Sequence, residues 1–477
     1  MVDRPVINIA PHLVQPMPCV IPTYKQVKSC KLSLLAAFKL YDIACLGTRD
    51  DNASIAPAGK IISKSKLQSI IPNLDYTDMT GGALWYDALS YNSERLVLEF
   101  ILSAIERGAD AFNYLKFEKL IVRNRRVEGI RVYDKISGSK FDVFGKIVVN
   151  ASGPWINTIC SKINPDHKRE RFYFAKAVNI LIKRKFSDIA FGLKDSGPPI
   201  DDYSNKNRFL FFIPWRGATM IGTWYFNNIN TPDEVTVTES ELVRCIGQVR
   251  RLIPDLDVQD DEICFVHAGL ISINFDVGRR RFDLKTKYSI IDHQRCDRLD
   301  GLISVQGVKY TIGRNVSVKV IDIIQKKLKR KLTKSGATDL SLTGGRISNV
   351  LKFIEQKQSS MESLLSSATI RHLAFNYGSK YNIIEKMILR DYKLAELVPG
   401  SDEAILAELI YCMRHEFAYH LTDLLIRRLD VGSLSIPKKQ TIDYCADFMA
   451  REMGWSAKRK QDEIDSLLGF YDRFTFR

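Results

Sequence analysis

Two short stretches carry the residue types that let backbone amides meet a ligand. IVVNASGPWIN, residues 147–157, finishes an apolar run (Ile147, Val148, Val149) and turns through Ala151, Ser152, Gly153 and Pro154 onto Trp155. VQGVKYTIG, residues 305–313, does the same around Gly307, with Lys309 and Thr311 placed to reach an anionic or carbonyl-bearing group. A glycine between a strand and a helix leaves N–H groups uncovered, the arrangement that receives anions at helix starts. One such turn reads equally well as a tight βα connection with no ligand. Two of them, far apart in sequence and each feeding a helix, point to one ligand clasped from both sides.

Three other positions invite a chemical reading. His267 ends an apolar strand just before Ala268 and Gly269, where an imidazole could accept a hydroxyl proton, although a hydrogen-bonded core histidine has the same signature. Arg216 in PWRG reads as a hairpin-turn residue, with a substrate oxyanion as its alternative partner. RHEFAYH, residues 414–420, superficially resembles a zinc-protease motif. Its histidines, His415 and His420, are five apart and so roughly 140° away from each other around a helix, which does not suit a shared metal. It reads as a structural Arg-His-Glu cluster, and no metal is expected.

The elements that must position these residues follow from pattern. Residues 1–25 hold five prolines and read as an extended entry segment; residues 26–48 have a helical pattern. Asn92 and Ser93 start a helix whose apolar side is Leu96, Phe100, Ile101, Ala104 and Ile105, with Gly108 ending it. FNYLKFEKLIVRN, RVEGIRVYD and FDVFGKIVVN follow as strands, the last two as a hairpin, the last apolar on both faces near its end as if inside a covered sheet. Helix, ribbon and buried strand form the second half of an α/β nucleotide-binding unit. From 171 to 270 the β signals continue (AVNILIKRK, NRFLFFIPWRG, TMIGTWYF, ICFVHAGLISI) around a helical insert at ESELVRCIGQVRRLI. GLISVQGVKYT is strand-like, a helix starts around Thr311 or Gly313, KSGATDLSLTGGR at 334–346 reads as a linker, and the pattern from 348 onward is helical.

Composition is that of an ordinary globular chain: 477 residues, 45% hydrophobic and 26% charged, enough for two or three domains. Seventy Lys and Arg against 55 Asp and Glu give a formal +15, suited to an anionic partner such as a phosphorylated metabolite or acidic lipid. No aromatic-interleaved RNA motif or zinc-finger spacing accompanies the basic clusters KKLKRK and RRR, so no nucleic-acid partner is expected. The nine cysteines include no CxxC pair, which indicates a reducing compartment, and the expected location is cytoplasmic.

The segments GADAFNYLKFEKL, VVNASGPWIN, FFIPWRGATMIGT, DGLISVQGVKYT and RHEFAYHLTDLLIRR, in that order, make the chain resemble the FAD-dependent glycerol-3-phosphate dehydrogenase family, within the amino-acid-oxidase-like flavoproteins. The resemblance runs from about residue 8 to the C-terminus. It implies an α/β (α+β) flavoprotein fold: the remainder of an FAD-binding domain over 1–170, an antiparallel β substrate domain over 171–300, a return segment to the FAD-binding domain over 301–333, and an all-α C-terminal domain over 348–477. It implies FAD as cofactor, with Gly153 and Trp155 beside it and the backbone of Phe117 facing the adenine. Gly307, Val308 and Thr311 would approach the pyrimidine edge of the isoalloxazine, where amides at a helix start stabilise negative charge. Lys309 matches a family lysine that helps hold the substrate phosphate, and Lys285 stands near another phosphate-binding position. A small-molecule substrate, a quinone acceptor and peripheral contact with the inner face of a membrane complete the implied picture.

Two departures from the family accompany the resemblance. The family opens with a strand, a GxGxxG turn and a helix, a βαβ unit of about 30 residues that binds the FAD pyrophosphate; this sequence contains no GxGxxG. A start assigned too far downstream or a fragment, a separate polypeptide that completes the fold, and a non-catalytic scaffold remnant are the three accounts. Second, the family's Ser-Gly-Val-Arg-Pro arginine is Ile271 here, its Gly-Ser-His turn is Ala177, Val178 and Asn179, and its Gly-Thr-Thr-Asp is Gly222, Thr223, Trp224 and Tyr225. The substrate expected is therefore a small alcohol, phosphorylated or not, oxidised by hydride transfer to flavin.

Overall fold

The computed structural model describes residues 6–25, 58–163, 172–203, 208–227, 231–330 and 340–474, the single positions 73, 196, 199, 277, 279 and 280 excepted. The helical pattern at 26–48 lies outside the described residues. Fifteen strands are described: β1 (Val14–Tyr24), β2 (Lys60–Ser63), β3 (Met79–Ser90), β4 (Leu115–Arg123), β5 (Arg126–Asp134), β6 (Lys140–Phe144), β7 (Val148–Asn150), β8 (Tyr173–Ile182), β9 (Ala190–Lys194), β10 (Phe209–Trp215), β11 (Ala218–Asn227), β12 (Ile263–Asp276), β13 (Arg281–Leu284), β14 (Ser289–Asp292) and β15 (Leu302–Gln306). They form a nine-stranded sheet in the order β13-β12-β8-β11-β10-β9-β1-β3-β2, a three-stranded sheet β14-β15-β7, and a ribbon β4-β5-β6.

The large sheet reaches further back in sequence than the 171–300 expected for the antiparallel layer, because β1, β2 and β3 belong to it. The proline-rich entry is an eleven-residue strand paired antiparallel with β3, Val14 opposite Ser90. Leu13 O accepts from Tyr91 N, so alternation puts Pro16, Pro18 and Pro22 at positions whose nitrogen faces away from β3. A proline there removes no ladder hydrogen bond on that side, which is why the strand tolerates three.

One face of this sheet is closed by α2 (Glu239–Leu252), started by a capping box between Thr238 and Glu241. Leu242, Cys245, Ile246 and Val249 of α2 pack onto Val178, Ile180, Trp224, Phe226 and Val266, all nearly inaccessible to solvent. Side chains alternate along each strand, so the neighbours Ala177, Asn179, Thr223, Tyr225 and His267 point to the opposite face. The C-terminal helices cover one end of that face through Leu181, Trp215 and Phe265, which share a core with Leu409, Leu424, Cys445 and Tyr471.

The helix starting at Asn92 is α1 (Ser93–Ile105), with Asn92 Oδ1 accepting from Arg95 N at 3.0 Å. The strand expected across 141–150 is two strands in different sheets: β6 pairs with β5, β7 pairs with β15, and Gly145 to Ile147 carry the chain across. β7 is not enclosed on both edges; β15 is its one strand neighbour among the described residues, and Val149 is 40% exposed. The segment expected to be a linker ends packed rather than free. Leu342, Thr343, Gly344 and Gly345 are buried, with Gly344 N donating to Glu99 Oε2 at 2.7 Å. A side chain at Gly344 would meet His12 Nε2 at 2.7 Å, and one at Gly345 would meet the Ile9 carbonyl, so the two glycines allow this close approach.

Candidate functional site

The two glycine turns start from neighbouring strand ends. β7 and β15 run parallel with Asn150 opposite Ser304, and each strand reaches its glycine three residues later, at Gly153 and Gly307. In a parallel pair both turns leave at the carboxyl edge, where open α/β sheets receive ligands. A buried hydrogen-bond chain fixes that edge: Asn150 Nδ2 donates to Ser304 Oγ (3.1 Å), Ser304 Oγ lies 2.7 Å from His293 Nε2, and His293 Nδ1 lies 2.7 Å from Asp297 Oδ2. An aspartate on Nδ1 assigns the proton to that nitrogen and leaves Nε2 to accept from the serine. With His293 and Ser304 wholly buried, this Asp-His-Ser line holds the strands in register and has no access to substrate.

Both turns present open backbone. Gly153 has φ +56° and nothing within 4 Å of where a Cβ would sit; Gly307 and Gly313 are equally clear. From Gly307 the chain passes through a 3-10 turn, Tyr310–Ile312, into α3 (Gly313–Leu328), so uncapped amides face outward at this corner. Lys309, Tyr310 and Thr311 are exposed there. Trp155, 41% exposed, donates from Nε1 to Asp233 Oδ2 at 3.1 Å.

β12 links this corner to the large sheet. Ser272 Oγ donates to Gly307 O at 3.0 Å, and Lys285 N donates to Ser272 O. Lys285 Nζ donates to Gln306 Oε1 (2.6 Å) and Ser289 Oγ (2.8 Å), and burial holds its pKa below the usual lysine value. Gly153, Trp155, Gly307, Val308, Lys309, Thr311 and Lys285 are thus gathered around one corner. Ser272 and Gln306 join them without having been singled out in the sequence; their only signal was flanking Ile271 and Gly307.

His267 and Arg216 sit elsewhere, at a cavity of about 450 Å³ between the open sheet face and the helical domain, lined also by Tyr91, Glu94 and Trp215. His267 Nε2 lies 3.0 Å from Ser433 O, so Nε2 carries the proton and Nδ1 keeps a lone pair. Burial pulls its pKa down, against a smaller upward pull from that carbonyl and from Glu94, and the ring is neutral at pH 7. Asn179 is directly opposite His267 across the β8–β12 ladder and accepts from Thr223 Oγ1 at 2.8 Å. Arg216 is at the β10–β11 turn with φ +51°, its guanidinium paired with Asp430 at 2.8 Å and bonded to Ser433 Oγ and Tyr91 O. These contacts tie the hairpin to the helical domain. Phe117, on β4, is half-buried with Lys162 Nζ 5.4 Å from its ring centre.

A second cavity of about 410 Å³ opens on the uncovered face of the large sheet, lined by Met17, Trp85, Tyr203, Phe211, Thr223 and Tyr225 among others. Leu284, beside Lys285, also lines it, so it borders the glycine corner. The residues of RHEFAYH do not form the internal cluster expected of them. The helix Leu406–His415 ends within the motif; Glu416 pairs with Arg95, His420 with Glu463, and Arg414 with Glu452.

The described residues fit the flavin end of a dinucleotide: bare glycine turns, outward amides and a sheet face with room above it. No strand, GxGxxG turn and helix for two phosphates occur among them. No described helix is long and apolar enough to cross a membrane.

Comparison with known proteins agrees with this assignment. Residues 12–302 match the family described as FAD dependent oxidoreductase, and residues 335–460 match the C-terminal domain of alpha-glycerophosphate oxidase. The chain is 25% identical to a glycerol-3-phosphate dehydrogenase of Synechocystis, over 90% of this chain and 76% of that protein. It is likewise 25% identical to the aerobic glycerol-3-phosphate dehydrogenase of Staphylococcus epidermidis, over 94% and 79%. The glycerol-3-phosphate dehydrogenase of Bacillus halodurans, solved with FAD, superposes with a TM-score of 0.76 at 21% identity, over 97% of this chain and 83% of that one. With the match spanning well over half its length, the chain belongs to the FAD-dependent oxidoreductase family.

Proposed function

We propose that this protein oxidises a carbon-bound hydroxyl of a small alcohol such as glycerol 3-phosphate. The observation that carries the reading is the pairing of β7 with β15, which puts the Gly153 and Gly307 turns side by side at the edge of an open sheet face. FAD bound there supplies the two-electron acceptor for the hydride. Gly153 and Trp155 would hold it from one turn and the amides of Gly307, Val308 and Thr311 from the other, with Phe117 contributing from β4. Lys309 and Lys285 stand at this corner to hold the substrate anion, whereas His267, in the separate cavity beside Ser433, is left out of the reacting set. Arg216 is left out of the substrate set, because Asp430, Ser433 and Tyr91 already engage its guanidinium.

The FAD-binding domain in this reading lacks its first βαβ unit. The support is β7, whose second edge has no strand partner among the described residues and whose Val149 is exposed. A polypeptide bearing a GxGxxG turn, on a partner chain or a longer form of this one, would complete the sheet and anchor the pyrophosphate. A quinone serves as the electron acceptor, and the basic surface attaches the protein to the acidic inner face of a membrane. Purified protein, alone or mixed with a GxGxxG-bearing polypeptide, should take up FAD, seen as flavin absorbance, and reduce it on addition of glycerol 3-phosphate. Protein that stays colourless in both preparations would be a scaffold and not an enzyme.

A further inference from the structure

The cavity on the open sheet face contains a cation that the family resemblance did not single out. Arg208, immediately before β10, has its guanidinium carbon 5.5 Å from the ring centre of Tyr203 and 5.4 Å from that of Tyr225. Its Nη2 is 2.6 Å from Asp201 Oδ2, and Asp201 is itself fixed by accepting from Tyr225 N. Its Nη1 is buried and has no hydrogen-bond partner among the described residues. A guanidinium held on one edge by a carboxylate and stacked against two rings is rigid, and its other edge is a preformed donor. A buried donor left without an acceptor is destabilising, so the free edge calls for a ligand that supplies one.

The surroundings indicate which ligand. Tyr203, Tyr225 and Leu284 line the cavity with Arg208, and the same three, with Ile271, pack against the cluster of Ala175, Ile273 and Phe282. Ile271 is the residue standing where the family's phosphate-binding arginine would be. The cavity therefore lacks an arginine on β12 and has one at the start of β10, held on one side by Asp201, beside the same aromatic rings. Asp87 is the acidic residue lining the cavity, on β3, three strands away from β10 in the sheet order.

We propose that Arg208 binds the terminal oxyanion of the substrate, phosphoryl or carboxyl, and so takes over the task of the arginine replaced by Ile271. The assignment rests on the oxidoreductase reading for what the ligand is, and not for whether an anion binds. A contact through Nη1 discriminates between ligands with and without the oxyanion, because that donor is otherwise left unpaired.

The test is equilibrium binding to the purified protein, by calorimetry, of glycerol 3-phosphate, lactate and uncharged glycerol, with flavin content recorded for each sample. Wild type should bind one of the two anions far more tightly than glycerol, and which one identifies the oxyanion. Arg208→Gln should weaken that anion by about tenfold to a hundredfold with glycerol unchanged. Arg208→Lys should fall between, which separates loss of charge from misfolding, and adding Ile271→Arg to Arg208→Gln should recover part of the affinity. Equal affinity in Arg208→Gln and wild type, or no preference of wild type for either anion over glycerol, overturns the proposal. Arg208-dependent anion binding by protein that never takes up FAD would sustain it while removing the oxidoreductase reading.

Discussion

Two polar regions of this molecule solve opposite problems. At the junction of α1 with the helical domain, Arg95 and Glu416 form an ion pair in which neither side chain is more than 1% exposed. Every Arg95 nitrogen is occupied: Nη2 and Nη1 by Glu416, Nη1 also by Arg428 O, and Nε by Asn376 O, while the guanidinium lies 4.1 Å from the centre of the Tyr377 ring. At the glycine corner the polar atoms are small and partly bonded, and the surface beside them is bare. The first region is closed and holds domains together; the second is incomplete, as a binding site is before its ligand arrives. At Arg95 it is the saturation of its hydrogen bonds, more than the presence of charge, that marks the polarity as structural.

The contrast can be broken most forcefully at Arg95. Arg95→Met should destabilise the protein by about 3–5 kcal/mol, because Glu416 is left as an uncompensated buried charge; urea unfolding measures the loss. Arg95→Met with Glu416→Leu should recover much of it, and a double variant no better than the single would mean that packing, not charge, dominates.

A smaller effect comes from two histidines at the same junction. His12 is buried with neither ring nitrogen bonded, and burial first, then Arg95 and Lys380, push its pKa down to about 3. An unfolded chain binds this proton near pH 6.5 and the native protein does not, so its contribution to stability is lost as pH falls from about 6.5 toward 3. His372 behaves in the reverse sense. Burial lowers its pKa, but Glu408 at 2.9 Å and Glu403 outweigh that and raise it to about 10. Its contribution is fully present below pH 6.5 and lost as pH rises toward 10. Unfolding measured across pH should show both limbs, with His12→Asn flattening the acid one and His372→Asn the alkaline one.

The smallest stability effect belongs to the glycine corner. Lys309→Ala should change unfolding by no more than about 0.5 kcal/mol, as for an exposed residue outside any packed feature. In protein able to bind FAD it should instead raise KM for a phosphorylated alcohol while flavin retention holds. Equal loss of both would assign the lysine to the cofactor, and a large loss of stability would erase the contrast between the two regions.

What could be read from the sequence follows the range of the forces involved. Asn92 and the Thr238–Glu241 start of α2 are local signals, and both helices occur where the pattern placed them. The apolar side read for α1 differs, because Arg95, Leu98, Glu99, Leu102 and Ser103 join Leu96 in the buried face while Ile101 is 41% exposed. The proline-rich β1 was harder, since its tolerance depends on which edge β3 occupies. The break at Gly145 to Ile147 depends on two sheets competing for adjacent residues, and the pinned end at Thr343 to Gly345 depends on Glu99 and Ser103 far upstream. Arg95 and Glu416 are 321 positions apart, and nothing near either names the other. At the site, the glycine turns were visible because strand-turn-helix is local; Ser272, Gln306 and Arg208 were not, because their significance lies in what reaches them across the sheet.

The partnership of β7 with β15 also sets an order of assembly during synthesis. Residue 148 meets residue 302 across the ladder, and six of the nine strands of the large sheet are translated in between. A ribosome must therefore release most of the antiparallel layer before the two turns can face each other. The cradle is among the last parts of the first three hundred residues to close, and until it does, β7 emerges with both of its edges unguarded.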